Sequence, residues 1–182
     1  MTDDQKIDCI ATSLKDNAFG DIERASSGGS KMGAFILCGC LIEAIAGFIK
    51  GSDTNASDYK CFVCRYLTSY GKEDIYKDLR CKLVHSYSEG GSYWFDDNNP
   101  ANHLKARPDG KVVINLENFV TEIQIALNEY CEQLKDPANV SLREKAIRRL
   151  DENGIISVVE NASSTGSPLG GDCLSGALSG RA

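Results

Sequence analysis

The stretch MGAFILCGCLIEAIAGFI, Met32 to Ile49, contains eighteen residues and a single charge, Glu43. As a helix it would be about 27 Å long, which is marginal for crossing the hydrocarbon core of a bilayer. A carboxylate near the midpoint would cost about 3 kcal/mol in a membrane, and the glycines of this stretch weaken its apolar character. We therefore predict the buried core helix of a soluble protein rather than a membrane span.

The composition agrees with a soluble globular chain. Of the 182 residues, 42% are hydrophobic and 25% charged, and the formal net charge is -6. This length suits one domain with a full core, or one domain with a tail. An acidic chain does not coat nucleic acid non-specifically, but it can carry a small basic pocket.

The N-terminus, MTDDQKIDCIATSL, is acidic and has no long apolar core, unlike a secretory signal. We expect a cytoplasmic protein whose eight cysteines are reduced.

Apolar residues recur at helical spacing on both sides of the central stretch. We predict a helix over residues 3–16, a flexible connector at RASSGGSKMG, and an aromatic helix capped by Ser57 or Asp58. A fourth helix is expected from Glu73 to Tyr87, with Ile75, Leu79, Leu83 and Val84 inward. The segment SEGG ends it.

The chain then changes character. HLKARPDGKVVIN predicts a β-hairpin around a Pro-Asp-Gly turn. Asn115 is placed to cap a long helix from Leu116 to Lys135, and Ser141 with Glu144 forms a capping-box pattern before a short basic helix that ends at Gly154. A strand is possible at IISVVE.

Together these elements predict an all-α fold, a bundle of four main helices with a hairpin insertion at about 93–115. The expected organisation is an N-terminal helix and connector (1–29), a helical core (30–136), a short basic helix and possible strand (137–160), and a flexible Ser/Gly-rich tail (161–182).

The segment DLRCKLVHSY, Asp78 to Tyr87, carries the candidate chemistry. In a regular helix Arg80 and His85 would be rotated by about 140° from each other, whereas Arg80, Leu83, Val84 and Tyr87 would share a face. The guanidinium and the imidazole can converge if the last turn unwinds.

A guanidinium binds phosphate in a fork geometry, and an imidazole transfers protons at neutral pH. The pair is therefore the minimum equipment for metal-independent cleavage of RNA, with the ribose 2′-hydroxyl as nucleophile. A surface arginine beside a helix-end histidine is the alternative.

The longer segment IYKDLRCKLVHSYSEGG resembles the signature helix of the HEPN superfamily, in which four to six residues separate an Arg from a His, as four residues separate Arg80 from His85. The segments CLIEAIAGFIKG, YKCFVCRYLTSY and INLENFVTEIQIALNEY extend the resemblance over about residues 30–135. It implies a helical-bundle endoribonuclease of a toxin–antitoxin or anti-phage system, with Arg80 and His85 catalytic.

The same resemblance implies a homodimer whose motif helices face each other across one groove that binds RNA. Tyr87, two residues after the histidine, is similar to the tyrosine of the HepT subgroup, which a nucleotidyltransferase antitoxin can modify. Cys81 departs from the family pattern, because many active members carry Asn, Asp or His there. A non-catalytic module that binds RNA, a nucleotide or a partner protein is the alternative.

Two lysines are expected to support the site, and two further residues have alternative interpretations. Lys77 and Lys82 flank Arg80 and would make the groove locally positive. Glu43 either orients Arg80 or lies at an exposed edge. His103 is either a loop histidine or a site residue.

Cysteines and the last helix raise two other possibilities. Cys38, Cys40, Cys61 and Cys64 could supply four thiolates to zinc, but we interpret them as core packing and expect no metal and no cofactor. The basic run Arg143 to Arg149 is either a solvated helix face or a surface for RNA or an acidic partner.

Overall fold

The computed structural model describes residues 1–155. The tail expected at 161–182, and all but the first residue of the strand expected at IISVVE, lie outside the described residues.

The described chain is mainly helical, in agreement with the predicted class. Its helices are α1 (Asp3–Thr12), α2 (Gly20–Ser27), α3 (Lys31–Lys50), α4 (Ala56–Tyr66), α5 (Lys72–Ile75), α6 (Leu116–Lys135) and α7 (Val140–Asn153). Two π-helical stretches, Ser13–Phe19 and Tyr76–Val84, continue α1 and α5, and a 3₁₀ turn covers Pro100–Asn102. The strands are β1 (Tyr93–Asp96) and β2 (Val112–Asn115).

Helix α3 is the centre of the fold. By length and composition it is the one helix among residues 1–155 that could cross a membrane. Ten of its residues are nevertheless buried, because α2, α4, α6, α7 and the stretch Tyr76–Val84 pack around it. This burial is typical of the core helix of a soluble protein. Gly51, at φ +82°, ends the helix in the left-handed conformation.

The N-terminal helix is longer than the sequence predicts. The residues expected to begin a flexible connector, Arg24 to Ser27, are the last turn of α2, so the break before α3 covers only residues 28–30. Ile22 of α2 is completely buried. Burying this face gives the segment a tertiary reason to remain helical despite its two serines.

Helix α6 confirms its predicted bounds. The Asn115 side chain accepts hydrogen bonds from the N–H groups of Glu117 (3.1 Å) and Asn118 (3.4 Å). Six apolar residues at helical spacing along it are buried: Phe119, Ile123, Ala126, Leu127, Tyr130 and Leu134. The other two caps differ from the prediction. Asn55 caps α4 with Asp58 as its capping-box partner, and α7 begins before Ser141, without a side-chain cap.

The predicted hairpin is only partly correct. Residues Arg107 to Lys111 form the expected turn, with the Gly110 N–H donating to the Arg107 carbonyl at 3.0 Å. The first arm forms a single antiparallel bridge, Ala106 to Val112, rather than a strand. Strand β2 instead pairs in parallel with β1, placing Phe95 opposite Ile114. Phe95 packs on Phe35 of α3 at 4.8 Å between ring centroids, and burial of this aromatic pair favours the parallel pairing.

Candidate active site

The π-helical winding of Tyr76–Val84 brings the two candidate catalytic side chains together. A π-helix joins residue i to residue i+5, so side chains five apart lie on the same face. Arg80 and His85 are five apart, and a guanidinium Nη1 contacts the imidazole Nε2. The sequence predicts convergence through unwinding at SEGG. The residues do converge, but the wider turn of the helix itself produces the contact.

The winding also changes which residues share a face. Leu83 is buried, whereas Tyr87 is 71% exposed. The regular-helix face expected for Arg80, Leu83, Val84 and Tyr87 is therefore wrong. Tyr87 lies just beyond the helix with φ +47°. Its side chain makes no hydrogen bond, ion pair or ring contact with any residue of 1–155.

Glu43 of α3 anchors the other edge of the guanidinium. The Arg80 Nε lies 2.6 Å from Glu43 Oε2, and Nη2 donates to Oε1 at 2.8 Å. Thr54 donates a further hydrogen bond to the same carboxylate at 3.2 Å. The Arg80 side chain is 18% exposed. Of the two placements open for Glu43, the structure has the one that orients Arg80.

This environment acts on the charge of Arg80. Partial burial favours the neutral form, but the hydrogen bonds and the negative charge of Glu43 outweigh it and raise the pKa of Arg80 above its ordinary value. The guanidinium therefore remains a fixed positive charge. With Nε and Nη2 bound to Glu43, Nη1 is the group that faces His85 and the surface.

The contact also constrains the imidazole. A guanidinium has only donors, so the histidine nitrogen that faces it must be the unprotonated one. His85 is exposed, and the ring nitrogen that contacts Arg80 is Nε2. An anion that drew Nη1 away would free that nitrogen to accept a proton.

We call the stretch Tyr76–Val84 the motif helix. Close packing of α3 against it makes the Glu43–Arg80 contact possible. Gly39, one turn before Glu43, is where the two helices meet. A Cβ at this position would lie 3.1 Å from Val84 Cγ2 and 3.2 Å from Leu79 Cγ. The missing side chain lets the helices approach closely enough for a direct ion pair.

Lys82 has a different role from the one the sequence predicts. Its ammonium lies 3.2 Å from the buried Asp78 carboxylate and also contacts the Gly90 carbonyl. Asp78 in turn accepts the Tyr93 N–H at 2.9 Å. Lys82 therefore fastens the SEGG segment and β1 to the motif helix. Lys77 is exposed and forms no ion pair with a described residue.

Cys81 contacts Tyr76 rather than the Arg80–His85 pair. Tyr76 and Cys81 are also five apart on the π-helix, and burial together with the hydrogen bond to Cys81 raises the pKa of Tyr76. The thiol therefore supplies no polar contact to Arg80 or His85. This is consistent with the sequence, in which Cys81 stands where many active family members carry Asn, Asp or His.

His103 belongs to a separate polar cluster that the sequence does not indicate. Its side chain is only 9% exposed. Nδ1 accepts the Asn115 N–H at 3.1 Å, and Nε2 lies 3.2 Å from the Tyr70 hydroxyl and 3.4 Å from Glu122. The cluster fixes the loop to the start of α6. Of the two alternatives, His103 is therefore the loop histidine, held in this cluster, and not a part of the Arg80 site.

The cysteine interpretation is correct for one residue of the four and wrong for the others. Cys38 is completely buried, and burial raises its pKa. Cys40, Cys61 and Cys64 are exposed rather than packed in the core. Within residues 1–155 no three His, Cys, Asp or Glu side chains lie together as metal ligands would.

The arginines of α7 make internal contacts. Arg148 donates to the Gly51 carbonyl at 3.0 Å, and Arg149 lies 3.3 Å from Asp53. Arg143 reaches the Leu134 carbonyl at 3.3 Å and contacts Asp4. These residues clamp the ends of α3 and α6, so the run is neither a merely solvated face nor an unoccupied basic surface.

A polar cavity of about 510 Å³ lies away from Arg80. It is formed by the end of α2 and the start of α6, and Glu23, Asp97 and Glu117 are among its lining residues. Carboxylates repel phosphate, and Lys31, the lysine of this cavity, already lies 3.5 Å from Asp97. The cavity is therefore a poor site for a nucleic acid.

Comparison with protein-family models, with curated proteins and with solved structures finds no match to this chain.

Proposed function

We propose that the chain is a HEPN-type, metal-independent endoribonuclease that acts through Arg80 and His85. The observation that carries the proposal is the guanidinium held by Glu43 along one edge and facing an accessible imidazole along the other. An oriented cation beside an acid–base group suits a phosphodiester whose charge grows in the transition state.

The proposed reaction uses the ribose of the substrate. A phosphate draws Nη1 of Arg80 away from His85, and the freed Nε2 accepts the proton of the 2′-hydroxyl. The 2′-oxygen attacks phosphorus while the bond to the 5′-oxygen breaks, giving a 2′,3′-cyclic phosphate. The leaving oxygen takes a proton from water and becomes a 5′-hydroxyl, and protonated His85 gives its proton to the hydroxide so formed, which restores the free imidazole. DNA has no 2′-hydroxyl, so the scheme restricts the enzyme to RNA.

The resemblance also supplies the proposed setting. The enzyme would act as a cytoplasmic homodimer with the two motif helices facing each other, in a toxin–antitoxin or anti-phage system. Tyr87 would be open to modification by a nucleotidyltransferase antitoxin, and its 71% exposure supports this.

A cleavage assay with a labelled RNA oligonucleotide in EDTA tests the proposal. We expect wild-type protein to produce 2′,3′-cyclic phosphate ends, and His85→Ala and Arg80→Ala each to lower the rate by at least a hundredfold. Lys72→Ala, which removes an exposed lysine at the start of α5, is the matched control. A His85→Ala protein with the wild-type rate would reject the mechanism.

The second candidate is a HEPN module that binds RNA, a nucleotide or a partner without cutting. The position of Cys81 favours it, because the thiol contacts Tyr76 and leaves Arg80 without a polar neighbour from that position. RNA binding without cleavage, unaffected by His85→Ala, would select this alternative.

A further inference from the structure

Beside the motif helix, β1 carries an aromatic residue covered by cations. Trp94 is half-buried on the outward side of the strand, while its neighbours Tyr93 and Phe95 are buried. The Arg107 guanidinium lies 4.1 Å from the centroid of the Trp94 ring, and the Lys111 ammonium lies 5.5 Å from it. We call Trp94, Arg107 and Lys111 the indole surface.

The turn at Pro108–Gly110 builds this surface. The Arg107 N–H donates to the Lys111 carbonyl at 2.7 Å, which holds the two cations side by side. Val112 pairs with Tyr93 in the sheet, so both cations are carried next to Trp94. Pairing of β2 with β1, rather than with the first arm of the predicted hairpin, creates the surface.

The indole surface presents two cations in an otherwise acidic chain. Lys111 makes no ion pair with any residue of 1–155, and Arg107 makes one with Asp109, at 3.3 Å, with both side chains partly exposed. Asp96, on the same strand as Trp94, accepts hydrogen bonds from Asn98 and Asn99. An exposed ion pair of this kind is easily given up for a phosphate.

Indole and guanidinium planes stack on nucleic acid bases, and adjacent ammonium groups bind the backbone. Bases are accessible for stacking in a single strand but are hidden within an A-form duplex. The strand that carries the indole surface is also fastened to the motif helix. Tyr93, the residue before Trp94, donates its N–H to Asp78, two residues before Arg80.

We propose that the indole surface is a binding site for single-stranded RNA, which holds a strand whose scissile phosphate lies at Arg80. For the location of the scissile bond this inference rests on the proposed nuclease function. Binding here adds affinity for longer strands, while a dinucleotide reaches only Arg80 and His85.

The sequence provides a direct probe, because Trp94 is its only tryptophan. In full-length protein carrying His85→Ala, which prevents cutting, a twelve-nucleotide single strand is titrated while the indole fluorescence and the anisotropy of a labelled strand are recorded. We expect the strand to quench Trp94, and Arg107→Ala with Lys111→Ala to weaken binding about tenfold. Lys15→Ala with Lys135→Ala removes the same charge elsewhere and should leave affinity unchanged.

Lys111→Glu alone, which keeps the Arg107–Trp94 stack, guards against a folding defect and should also weaken binding. Equal affinities for the two double variants, or equal quenching by duplex RNA, would overturn the indole surface as a single-strand site. If wild-type protein still cleaves a dinucleotide, the nuclease proposal stands without it. Quenching without any cleavage by wild-type protein would support the surface and reject the nuclease.

Discussion

Among single side chains, Glu43 is the one whose role depends most on the fold. It lies 37 positions before Arg80, and a lone acid in an apolar helix has no visible partner in the sequence. The structure pairs its two oxygens with two guanidinium nitrogens. Such bidentate contacts fix orientation as well as charge. We therefore treat Glu43 as the positioning residue of the site.

Glu43→Gln should expose this role. The amide keeps the size of the side chain but cannot form the bidentate ion pair with Arg80, so the orientation of the guanidinium will no longer be fixed. We expect kcat on RNA to fall about tenfold and the free energy of unfolding to fall by roughly 1 kcal/mol. Urea unfolding and single-turnover cleavage measure the two effects.

Glu73→Gln is the matched control, because it removes the same charge from an ion pair with Lys60 at 2.7 Å, near the start of the motif helix. It should leave kcat unchanged. If both variants lose activity equally, Glu43 acts through general electrostatics and not by positioning Arg80.

The sequence predicts the identity of the Arg80–His85 pair but not the orientation of its supporting residues. Residue type is enough to indicate what Arg80 and His85 can do. Lys82 is predicted to support the site because it flanks Arg80, and Cys81 occupies the position that the family pattern makes polar, yet each contacts another group. Side-chain direction depends on helical winding, so sequence neighbours on a π-helix need not be neighbours in the site.

At the scale of elements, the π-helical stretch is the feature that builds the candidate site. The buried apolar residues Ile75 of α5 and Leu79 and Leu83 of this stretch recur every four positions. Such spacing drifts by about 40° per step around a helix of 3.6 residues per turn and by a similar angle in the opposite sense around a π-helix. The spacing therefore does not distinguish the two windings, which explains why the sequence predicts a regular helix from Glu73.

The predicted hairpin is correct in its turn but wrong in its strand pairing. The turn residues around Gly110 identify a local turn correctly, since turn geometry depends on a few adjacent residues. The partner of β2 depends instead on which aromatic side chain the core accepts. Phe95 packs on Phe35, which in turn contacts Phe119, and no local pattern could reveal this choice.

Contact between α3 and the motif helix gives the second prediction. Leucine at position 39 would insert a side chain where Leu79 and Val84 leave no room, pushing the helices apart and pulling Glu43 from Arg80. We expect Gly39→Leu to lower the free energy of unfolding by about 1–3 kcal/mol and to abolish most RNA cleavage. Thermal unfolding and the cleavage assay measure these changes.

Gly39→Ala is the control for helix propensity. Alanine favours a helix by about 1 kcal/mol over glycine, which offsets the tight contacts of its methyl group, so this variant should unfold near the wild-type temperature and keep most activity. If Gly39→Leu were fully active, close approach of the two helices would not be needed for the site.

For the molecule as a whole, the negative net charge and the few cations assigned to RNA predict how RNA affinity depends on salt concentration. The net charge is -6, α7 uses its arginines internally, and our proposals assign Arg80, Arg107 and Lys111 to RNA. Affinity for single strands falls with salt by about 0.7 log unit, per log unit of salt, for each phosphate neutralised. For the His85→Ala protein we expect log affinity to change with log salt concentration with a slope of about -2. This slope is much shallower than that of a protein coated with basic groups.

Anisotropy titrations of a labelled single strand from 50 to 300 mM KCl measure this slope. Removing Arg107 and Lys111 together should make it shallower by about 1.4, because two phosphate contacts are lost. Removing Lys15 and Lys135 should leave it unchanged, although the net charge changes equally. A slope steeper than about -5 for the unaltered surface would mean that RNA contacts a broad face of the molecule. Binding would then not be confined to the indole surface and Arg80.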